Sequence, residues 1–427
     1  MEGRRISSVK ALEIVDNRGM PTIRVRVRTE NGFSGTADVP CGSSTGTYEA
    51  HELRDGDERY RGRGGRKAIR NIEELITPRL LGMDVTRQRD IDLMMIELDG
   101  TKNKSKLGAN ATLGVSAAVA HAGAASCGLP LYRYLNAHAY MLPVPQSCMI
   151  NGGLHAGNDL EFQEYCVMPV GAGTFAEAIR LLSEINLSCK DLLAEKYGKG
   201  ATNAGEDGGF APPMKSAREA MDFLYRAVHK AGFENEVVYG IDVAATHFYD
   251  KDRRKYLLEG QEKDRDEMIA FLKNLVKEYP AIVSLEDPLF EDDYEGTSII
   301  TRELEGTMII GDDFFTTNIH RVRKGVMEKA SNAVLWKPNM IGTVTEAFET
   351  AHYAMQHGFS VVVSERSGAT EDTTLSDLTV ALNAGVIKVG GIRGSERGSE
   401  YNRFIEIEDD LGTSAVYAGR NFNKTKP

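Results

Sequence analysis

The chain has 427 residues and a formal net charge of −11, which gives enough length for two domains and argues against nucleic acid as the main partner. No apolar run reaches the roughly 18 residues that span a membrane, so no membrane association is expected. The N-terminus lacks the charged-then-apolar form of a signal peptide. The five cysteines are odd in number and have no CxxC spacing, so we expect free thiols in a reducing, cytoplasmic compartment.

The N-terminal part of the chain predicts a small α+β domain. Residues 23–28 alternate apolar and basic side chains, which is the period of a half-buried antiparallel strand. Residues 32–40 could supply its partner after a turn at Asn31-Gly32. Small and apolar residues dominate 107–128 and indicate a buried helix.

From about residue 140, short apolar runs of buried-strand length recur between helical stretches. Six of these runs end at a charged residue, namely Asp242, Glu286, Asp312, Lys337, Glu365 and Lys388. Continuous apolar strands that alternate with helices indicate a parallel sheet covered on both faces. The series predicts a TIM-like (β/α)8 barrel with functional groups at the carboxyl ends of its strands. A doubly wound open sheet is the alternative, although it would gather ligands at one switch point instead of around a rim.

These patterns divide the chain into an N-terminal α+β domain over residues 1–135 and a barrel over residues 136–427. No low-complexity linker separates the two, so we expect them to pack together.

Three acids, Asp242, Glu286 and Asp312, end three consecutive predicted strands and should converge on one side of the barrel mouth. Carboxylates crowded in this way repel one another unless a hard divalent cation neutralises them, and oxygen ligands suit Mg²⁺ or Mn²⁺ better than zinc. The alternative is that these acids cap helices or pair with arginines.

Two lysines, Lys337 and Lys388, end further strands of the same series. A lysine beside a metal and other cations loses basicity and can act as a general base near neutral pH. A structural ion pair with the same acids is the alternative. Of two glycine-rich loops, 40–46 could cover a phosphate or a metal and 205–210 puts two acids on a glycine hinge, but as bare patterns most such loops are simply turns.

Longer motifs then point to a family. They are ELRDGD (52–57), IELDGTKNKSKLGAN (96–110), GLPLYRYL (128–135), SLEDPLFEDDYEG (284–296), GDD (311–313), IKVG (387–390) and SERGSEYNRF (395–404). With these motifs the chain resembles enolase from residue 6 to about residue 420. The resemblance implies an N-terminal α+β domain on an enolase-type barrel whose first turns are irregular. It also implies a homodimer or higher homo-oligomer and two Mg²⁺ ions per active site, with Mn²⁺ as a possible substitute.

The resemblance also implies roles for single residues. Asp242, Glu286 and Asp312 look like the ligands of the first metal, and Ser44 resembles the residue that helps to bind the second. Lys337 looks like the base that removes the proton α to the substrate carboxylate. The matches on the substrate side are Lys388 for the lysine that grips the substrate, Arg366 with Ser367 for its phosphate clamp, Glu164 for an acid near the leaving hydroxyl, and His155 for a mobile-loop histidine.

The chain departs from the family on the leaving-group side. Enolases read Gly-Asp-Glu-Gly-Gly where this chain has Glu206 followed by Asp207, so a shorter side chain stands at the catalytic position. Glu365 replaces a histidine, and Cys41 and Ser43 replace Ser and Ala. A displacement on the order of 1 Å can cost about 100-fold in rate. The general acid could therefore be Glu206, Asp207 or Glu365.

Three functions follow from this pattern. The first is Mg²⁺-dependent dehydration of 2-phosphoglycerate to phosphoenolpyruvate. The second is dehydration of a phosphonate-modified glycerate, of the carboxyphosphonoenolpyruvate synthase type. The third is a scaffold role without catalysis, which the complete set of acids and both lysines disfavours.

Overall fold

In the computed structural model, which describes residues 3–43 and 45–423, the N-terminal part begins with an antiparallel sheet. Its strands are β1 (Ile6–Val15), β2 (Pro21–Thr29) and β3 (Ser34–Asp38). The alternation predicted for residues 23–28 is confirmed, because the apolar side chains of β2 are fully buried and its arginines lie on the other face. The predicted partner strand is also confirmed as β3, which pairs with β2 from Arg28↔Ser34 to Arg24↔Asp38.

Helices cover the buried face of this sheet. They are α1 (Arg66–Arg70), α2 (Thr77–Leu80), α3 (Gln88–Asp99), α4 (Ala109–Cys127) and α5 (Leu131–Leu135), with a π-helical segment over Asn71–Ile76. The small side chains of α4 let it lie close to the sheet. A Cβ atom on Gly35 would come within 2.2 Å of the Ala118 carbonyl oxygen, so only glycine fits at this contact. The buried helix predicted over 107–128 is therefore confirmed as α4.

The strands of the C-terminal part form a barrel and two small additions. In chain order they are β4 (Met141–Leu142), β5 (Val144–Pro145), β6 (Ser147–Asn151), β7 (Glu164–Met168), β8 (Val238–Asp242), β9 (Tyr249–Asp250), β10 (Lys255–Leu258), β11 (Gln261–Lys263), β12 (Ile282–Glu286), β13 (Met308–Gly311), β14 (Ala333–Trp336), β15 (Ser360–Ser364), β16 (Val386–Lys388) and β17 (Val416–Tyr417). β9 to β11 form a separate sheet, and β4 pairs with β17.

The barrel sheet has the order β5-β16-β15-β14-β13-β12-β8-β7-β6. Only Gln146 separates β5 from β6, and its N–H donates to the Ile387 carbonyl oxygen at 2.8 Å, so the two edges belong to one continuous segment and the ring is nearly closed. This closure rules out the open doubly wound sheet. The six strands predicted from apolar runs are all present and parallel.

The start of the barrel is irregular, as the family resemblance implied. β7 runs antiparallel to both β6 and β8. Because of this reversal, Glu164 at the beginning of β7 lies beside Asp242 at the end of β8, on the catalytic rim.

Helices surround the barrel. They are α6 (Phe175–Tyr197), α7 (Ala217–Ala231), α8 (Arg265–Glu278), α9 (Tyr294–Glu303), α10 (Ile319–Glu328), α11 (Val344–Gln356), α12 (Thr374–Ala381) and α13 (Ser395–Leu411). Across residues 3–43 and 45–423, none of the helices has the length and apolar character needed to cross a membrane.

The N-terminal segment that follows β3 lies over the barrel mouth. Cys41 and Gly368 exchange two backbone hydrogen bonds of 2.8 and 2.9 Å, and the Asp38 N–H donates to Asp372 at 2.8 Å. The expected packing of the two parts is therefore present, whereas a domain division between residues 135 and 136 stays a prediction.

Candidate active site

The floor of the barrel mouth is a buried cluster of carboxylates around one lysine. The Lys388 ammonium lies 2.9 Å from Glu164, 2.9 Å from Asp242 and 2.7 Å from Glu286. Burial alone would lower the pKa of Lys388, but the three carboxylates outweigh it and hold that pKa well above its usual range. Without a metal, Lys388 is therefore a fixed cation and not a base.

The second lysine, Lys337, is paired with the third predicted metal ligand. Its ammonium lies 2.6 Å from Asp312 Oδ2. Asp287 positions this carboxylate by accepting the backbone N–H groups of Asp312 and Asp313 at 2.9 and 2.8 Å. The turn that follows β13 thus orients Asp312 towards Lys337, which directly follows β14, and both line the same cavity.

The carboxylates of this floor fit a hard divalent cation. Asp312 Oδ1 is buried and has no hydrogen-bond partner among the described residues. Burial, and then the charge of Asp242, raise the pKa of Glu286 well above its usual range, while burial and Asp312 raise the pKa of Asp313 to about 8. Such shifts indicate more negative charge than two lysines neutralise, and oxygen ligands of this kind suit Mg²⁺. Ser44, the expected ligand of a second ion, lies outside the described residues.

The leaving-group side is built around a buried ion pair. Asp207 Oδ2 lies 2.5 Å from His155 Nδ1 and accepts a hydrogen bond of 2.8 Å from the Asn151 amide. Burial opposes the charge on Asp207, yet His155 outweighs it and the pKa of Asp207 falls to about 2. Burial likewise opposes protonation of His155, but Asp207 raises its pKa.

Glu206 points away from this pair, although it is adjacent in the chain. Its side chain is 41% exposed and accepts a hydrogen bond from Ser43 Oγ, while Arg18 lies 4.0 Å away. Of the two acids at the altered motif, only Asp207 therefore faces the buried site.

Glu365 is buried next to another carboxyl group. Burial, and then repulsion by Glu400, raise the pKa of Glu365 well above its usual range, and burial raises the pKa of Glu400 to about 8. These surroundings therefore favour the protonated form of Glu365. Asp207 hydrogen-bonds to His155 and Asn151 and not to Glu365 in the structure described, so the two changed acids do not compensate each other by direct contact.

The predicted phosphate clamp is formed by Arg366 and Ser367. The Arg366 guanidinium binds both oxygens of Glu49, at 2.8 and 3.2 Å, and both side chains are buried. Ser367 Oγ accepts from Arg18 Nη1 at 3.2 Å and from the Ser43 N–H at 3.1 Å. The clamp is thus a cluster of two arginines and two hydroxyls under the loop that carries Ser43.

Sequence reasoning missed Arg18 and Glu49, which come from the N-terminal domain. Buried Asp16 fixes Arg18 through contacts of 2.7 and 3.0 Å, so its guanidinium is held at the clamp. The turn from Asp16 to Met20 joins β1 to β2 and is polar, but nothing in the sequence places that turn at the barrel mouth.

The His155–Asp207 pair predicts a pH dependence of stability. The pKa of Asp207 is about 2 instead of 3.8, so its contribution to the stability of the folded state is present above pH 3.8 and is lost as the pH falls towards 2. The pKa of His155 is raised above 6.5, so its contribution is present below pH 6.5 and is lost as the pH rises through the raised value. We expect His155→Gln to lower the melting temperature most between pH 3.8 and 6.5. A melting series across pH 3–9 tests this, with exposed His229→Gln as the control, and a loss that grows above pH 8 would contradict it.

Comparison with known proteins agrees with this geometry. Family models for the enolase N-terminal domain and the enolase C-terminal TIM barrel domain match residues 6–135 and 139–426. The chain is 53% identical over 421 residues to the enolase of Thermococcus gammatolerans, which covers 98% of this chain and 97% of that protein. It is 53% identical to the enolase of Methanocaldococcus jannaschii over 418 residues and 52% identical to that of Pyrococcus furiosus over 423 residues, with 98% of each chain covered. The chain belongs to the enolase family.

Membership of the enolase family makes this protein an enzyme, a hydro-lyase on a TIM barrel with an N-terminal α+β domain. The residues carried over from the enolase motifs lie around one cavity, which is lined among others by His155, Glu164, Asp207, Asp242, Asp312, Lys337, Arg366, Ser367 and Lys388. Glu286 lies just beneath it, bound to Lys388. Glu206 stands apart from these groups, at the loop that carries Ser43.

Proposed function

We propose that this enzyme dehydrates 2-phosphoglycerate to phosphoenolpyruvate with Mg²⁺. The observation that carries the proposal is the single cavity that brings Lys337, the carboxylates, the Arg366–Ser367 clamp and the Asp207–His155 pair together. A three-carbon acid with one phosphate carries negative charges that match Lys337, Arg366 and Lys388 around this cavity.

The proton α to a carboxylate is very weakly acidic, because its removal adds charge to a group that is already anionic. Asp242, Glu286 and Asp312 would hold the Mg²⁺, which would supply electrostatic stabilisation of that charge. Lys388 would bind the substrate carboxylate, and Lys337, which lines the cavity, would accept the α-proton of the bound substrate. Arg366 would exchange Glu49 for the substrate phosphate, so that the substrate is fixed at both ends.

Loss of the β-hydroxide needs a proton donor on the opposite side of the substrate. The pKa of Asp207 is lowered to about 2 and Asp207 raises the pKa of His155, so a proton bound by this pair resides on His155. We therefore infer that the His155–Asp207 pair delivers this proton, with Glu164 near the leaving oxygen. Glu206 is better suited to hold the loop at Ser43 through their hydrogen bond.

An assay for the enolpyruvate absorbance of the product tests the function. With 2-phosphoglycerate and Mg²⁺ we expect turnover of about 1–10³ s⁻¹, the ordinary range for enzymes. Chelation by EDTA should abolish turnover, and added Mg²⁺ should restore it. Asp242→Asn should raise the Mg²⁺ concentration for half-maximal activity at least about tenfold, since it removes one of three charged ligands. Asp266→Asn, whose side chain is 85% exposed, is the control.

Negligible turnover of 2-phosphoglycerate by an enzyme that still binds Mg²⁺ would overturn the proposal. It would favour the phosphonate-modified glycerate, because the changes at Glu206, Asp207 and Glu365 lie on the leaving-group side while the metal ligands and Lys337 match the family. In that case, Asp207→Glu combined with Glu365→His should raise turnover of 2-phosphoglycerate.

Glu365→Gln tests whether Glu365 acts as an acid. Glutamine has the same shape and is neutral, and the pKa of the buried Glu365 carboxyl group is raised well above its usual range, so activity should stay within about threefold of wild type. Initial rates at pH 7 give the result, and Glu371→Gln on the surface is the control. A loss of 100-fold or more would instead assign the proton donor to Glu365.

A further inference from the structure

A row of polar side chains crosses the barrel interior one layer below the carboxylate floor. Cys148 on β6 is directly opposite Cys166 on β7, Cys166 is opposite Gly240 on β8, and Gly240 is opposite Ser284 on β12. Residues paired in this way point to the same face of a sheet. Cys166 is also two residues from Glu164, whose side chain reaches Lys388 in the interior, so the row faces inward.

The two thiols of this row lie close to a carboxylate. Cys148 Sγ, Cys166 Sγ and a carboxylate oxygen of Glu164 are all within 4.8 Å of one another. Cys166 Sγ is 3.7 Å from Glu164 Oε2. All three side chains are at least 97% buried, so water does not dilute the contact.

Two further polar groups of this layer lack partners. The amide oxygen and nitrogen of Gln146 and the hydroxyl of Ser284 are fully buried and make no hydrogen bond to any described residue. Both lie over Gly240, where a Cβ atom would come within 2.5 Å of Ser284 Oγ and 3.0 Å of the Gln146 amide. Buried polar groups without partners are costly, and a ligand that accepts their lone pairs would remove the cost.

We propose that Cys148, Cys166 and Glu164 form a site for a thiophilic divalent cation such as Zn²⁺ or Cd²⁺ inside the barrel. Two thiolates and a carboxylate are ligands that such ions take, with metal–sulfur distances of about 2.3 Å for zinc. Gln146 and Ser284 offer a neutral oxygen for the fourth position. The two thiol protons are released to solvent as the ion binds.

This site differs from the carboxylate site in the ions that it prefers. Mg²⁺ takes oxygen ligands and is not expected between two thiols, whereas Asp242, Glu286 and Asp312 offer no sulfur. The sites share Lys388, since its ammonium pairs with Glu164 on one side and with Asp242 and Glu286 on the other. An ion that engages Glu164 removes one of the three partners of Lys388, so occupation inhibits the enzyme. Glu164 also lines the active-site cavity, which gives the ion its entry path.

Cd²⁺ is the probe, added to the full-length enzyme in saturating Mg²⁺. The variant to use has Cys41, Cys127 and Cys189 replaced by serine, so that Cys148 and Cys166 are its only thiols. We expect one Cd²⁺ per chain with the ultraviolet charge-transfer absorption of cadmium thiolates, and turnover that falls as this absorption grows. Raising the Mg²⁺ concentration tenfold should neither remove this absorption nor restore turnover.

Adding Cys148→Ser or Cys166→Ser to that variant should remove the absorption and the inhibition together, with folding checked by circular dichroism. If these serine variants do not fold, the absorption and stoichiometry of the parent variant decide the question alone, since they need no further substitution. Absence of the absorption in the parent overturns the proposal. Inhibition that Mg²⁺ reverses, without the absorption, also overturns it and assigns the ion to the carboxylates. Because binding is read from absorbance, the result does not depend on which substrate the enzyme uses.

Discussion

Lys337→Met will lower kcat for dehydration by about 10²- to 10⁴-fold, the usual contribution of a general base. Methionine keeps the length of the side chain and removes the group that accepts the α-proton. Lys337 directly follows β14 and is fixed at the cavity by its ion pair with Asp312, at 2.6 Å. Lys388 cannot take over, because three carboxylates hold it protonated.

Exchange of the substrate α-hydrogen with D₂O separates this role from a structural one. Exchange should disappear in Lys337→Met along with dehydration, while Mg²⁺ binding and the melting temperature change little. Lys273→Met, which breaks a surface ion pair with Glu303, should leave both reactions intact. If the exchange rate of Lys337→Met stays near that of wild type, another residue is the base.

Asp207→Asn will lower kcat for dehydration by about 10²- to 10³-fold but leave the rate of α-hydrogen exchange largely unaffected. The substitution keeps the shape of the side chain and removes the charge that holds His155 protonated, so the leaving hydroxide loses its proton source. The substitution leaves Lys337 and the predicted metal ligands unchanged.

Glu206→Gln is the matched comparison, because it alters the adjacent acid by the same one-atom change. Its side chain contacts Ser43 and not the ion pair, so dehydration should fall by less than about fivefold. Both variants are measured with 2-phosphoglycerate at pH 7, by enolpyruvate absorbance and by exchange. A Glu206→Gln variant as impaired as Asp207→Asn would make Glu206 part of the proton-delivery system.

Several features of the fold could be predicted because they depend on local pattern. A strand that is buried on one face alternates between apolar and polar residues, as β2 does, whereas a strand buried on both faces is mainly apolar, as the six barrel strands are. The charged residues at the ends of those runs marked the rim of the barrel. Long motifs added the family, and with it candidate roles for residues whose local sequence is uninformative, such as Glu164 and His155.

The candidate site could be predicted less completely, because its geometry depends on contacts between distant parts of the chain. Glu206 and Asp207 are neighbours with similar chemistry, yet only Asp207 turns inward to His155, 52 residues away in sequence. Arg18 and Glu49 reach the clamp from another domain. No local sequence pattern predicts contacts between residues that are so far apart in the chain.

The lysines and carboxylates at the strand ends, from which the barrel was predicted, therefore depend on the sequence for their positions and on the tertiary structure for their partners and ionisation. The sequence by itself determined which charged groups stand at the carboxyl ends of the strands, since strand length and apolar runs are local properties. Only the tertiary structure decided how they are paired and ionised. The reversal of β7 brings Glu164 to Lys388, burial beside Glu400 raises the pKa of Glu365, and the pairing of β6 with β7 puts two cysteines beneath the floor. The ionisation and partners of a buried group depend on its surroundings in space, which the order of residues does not specify.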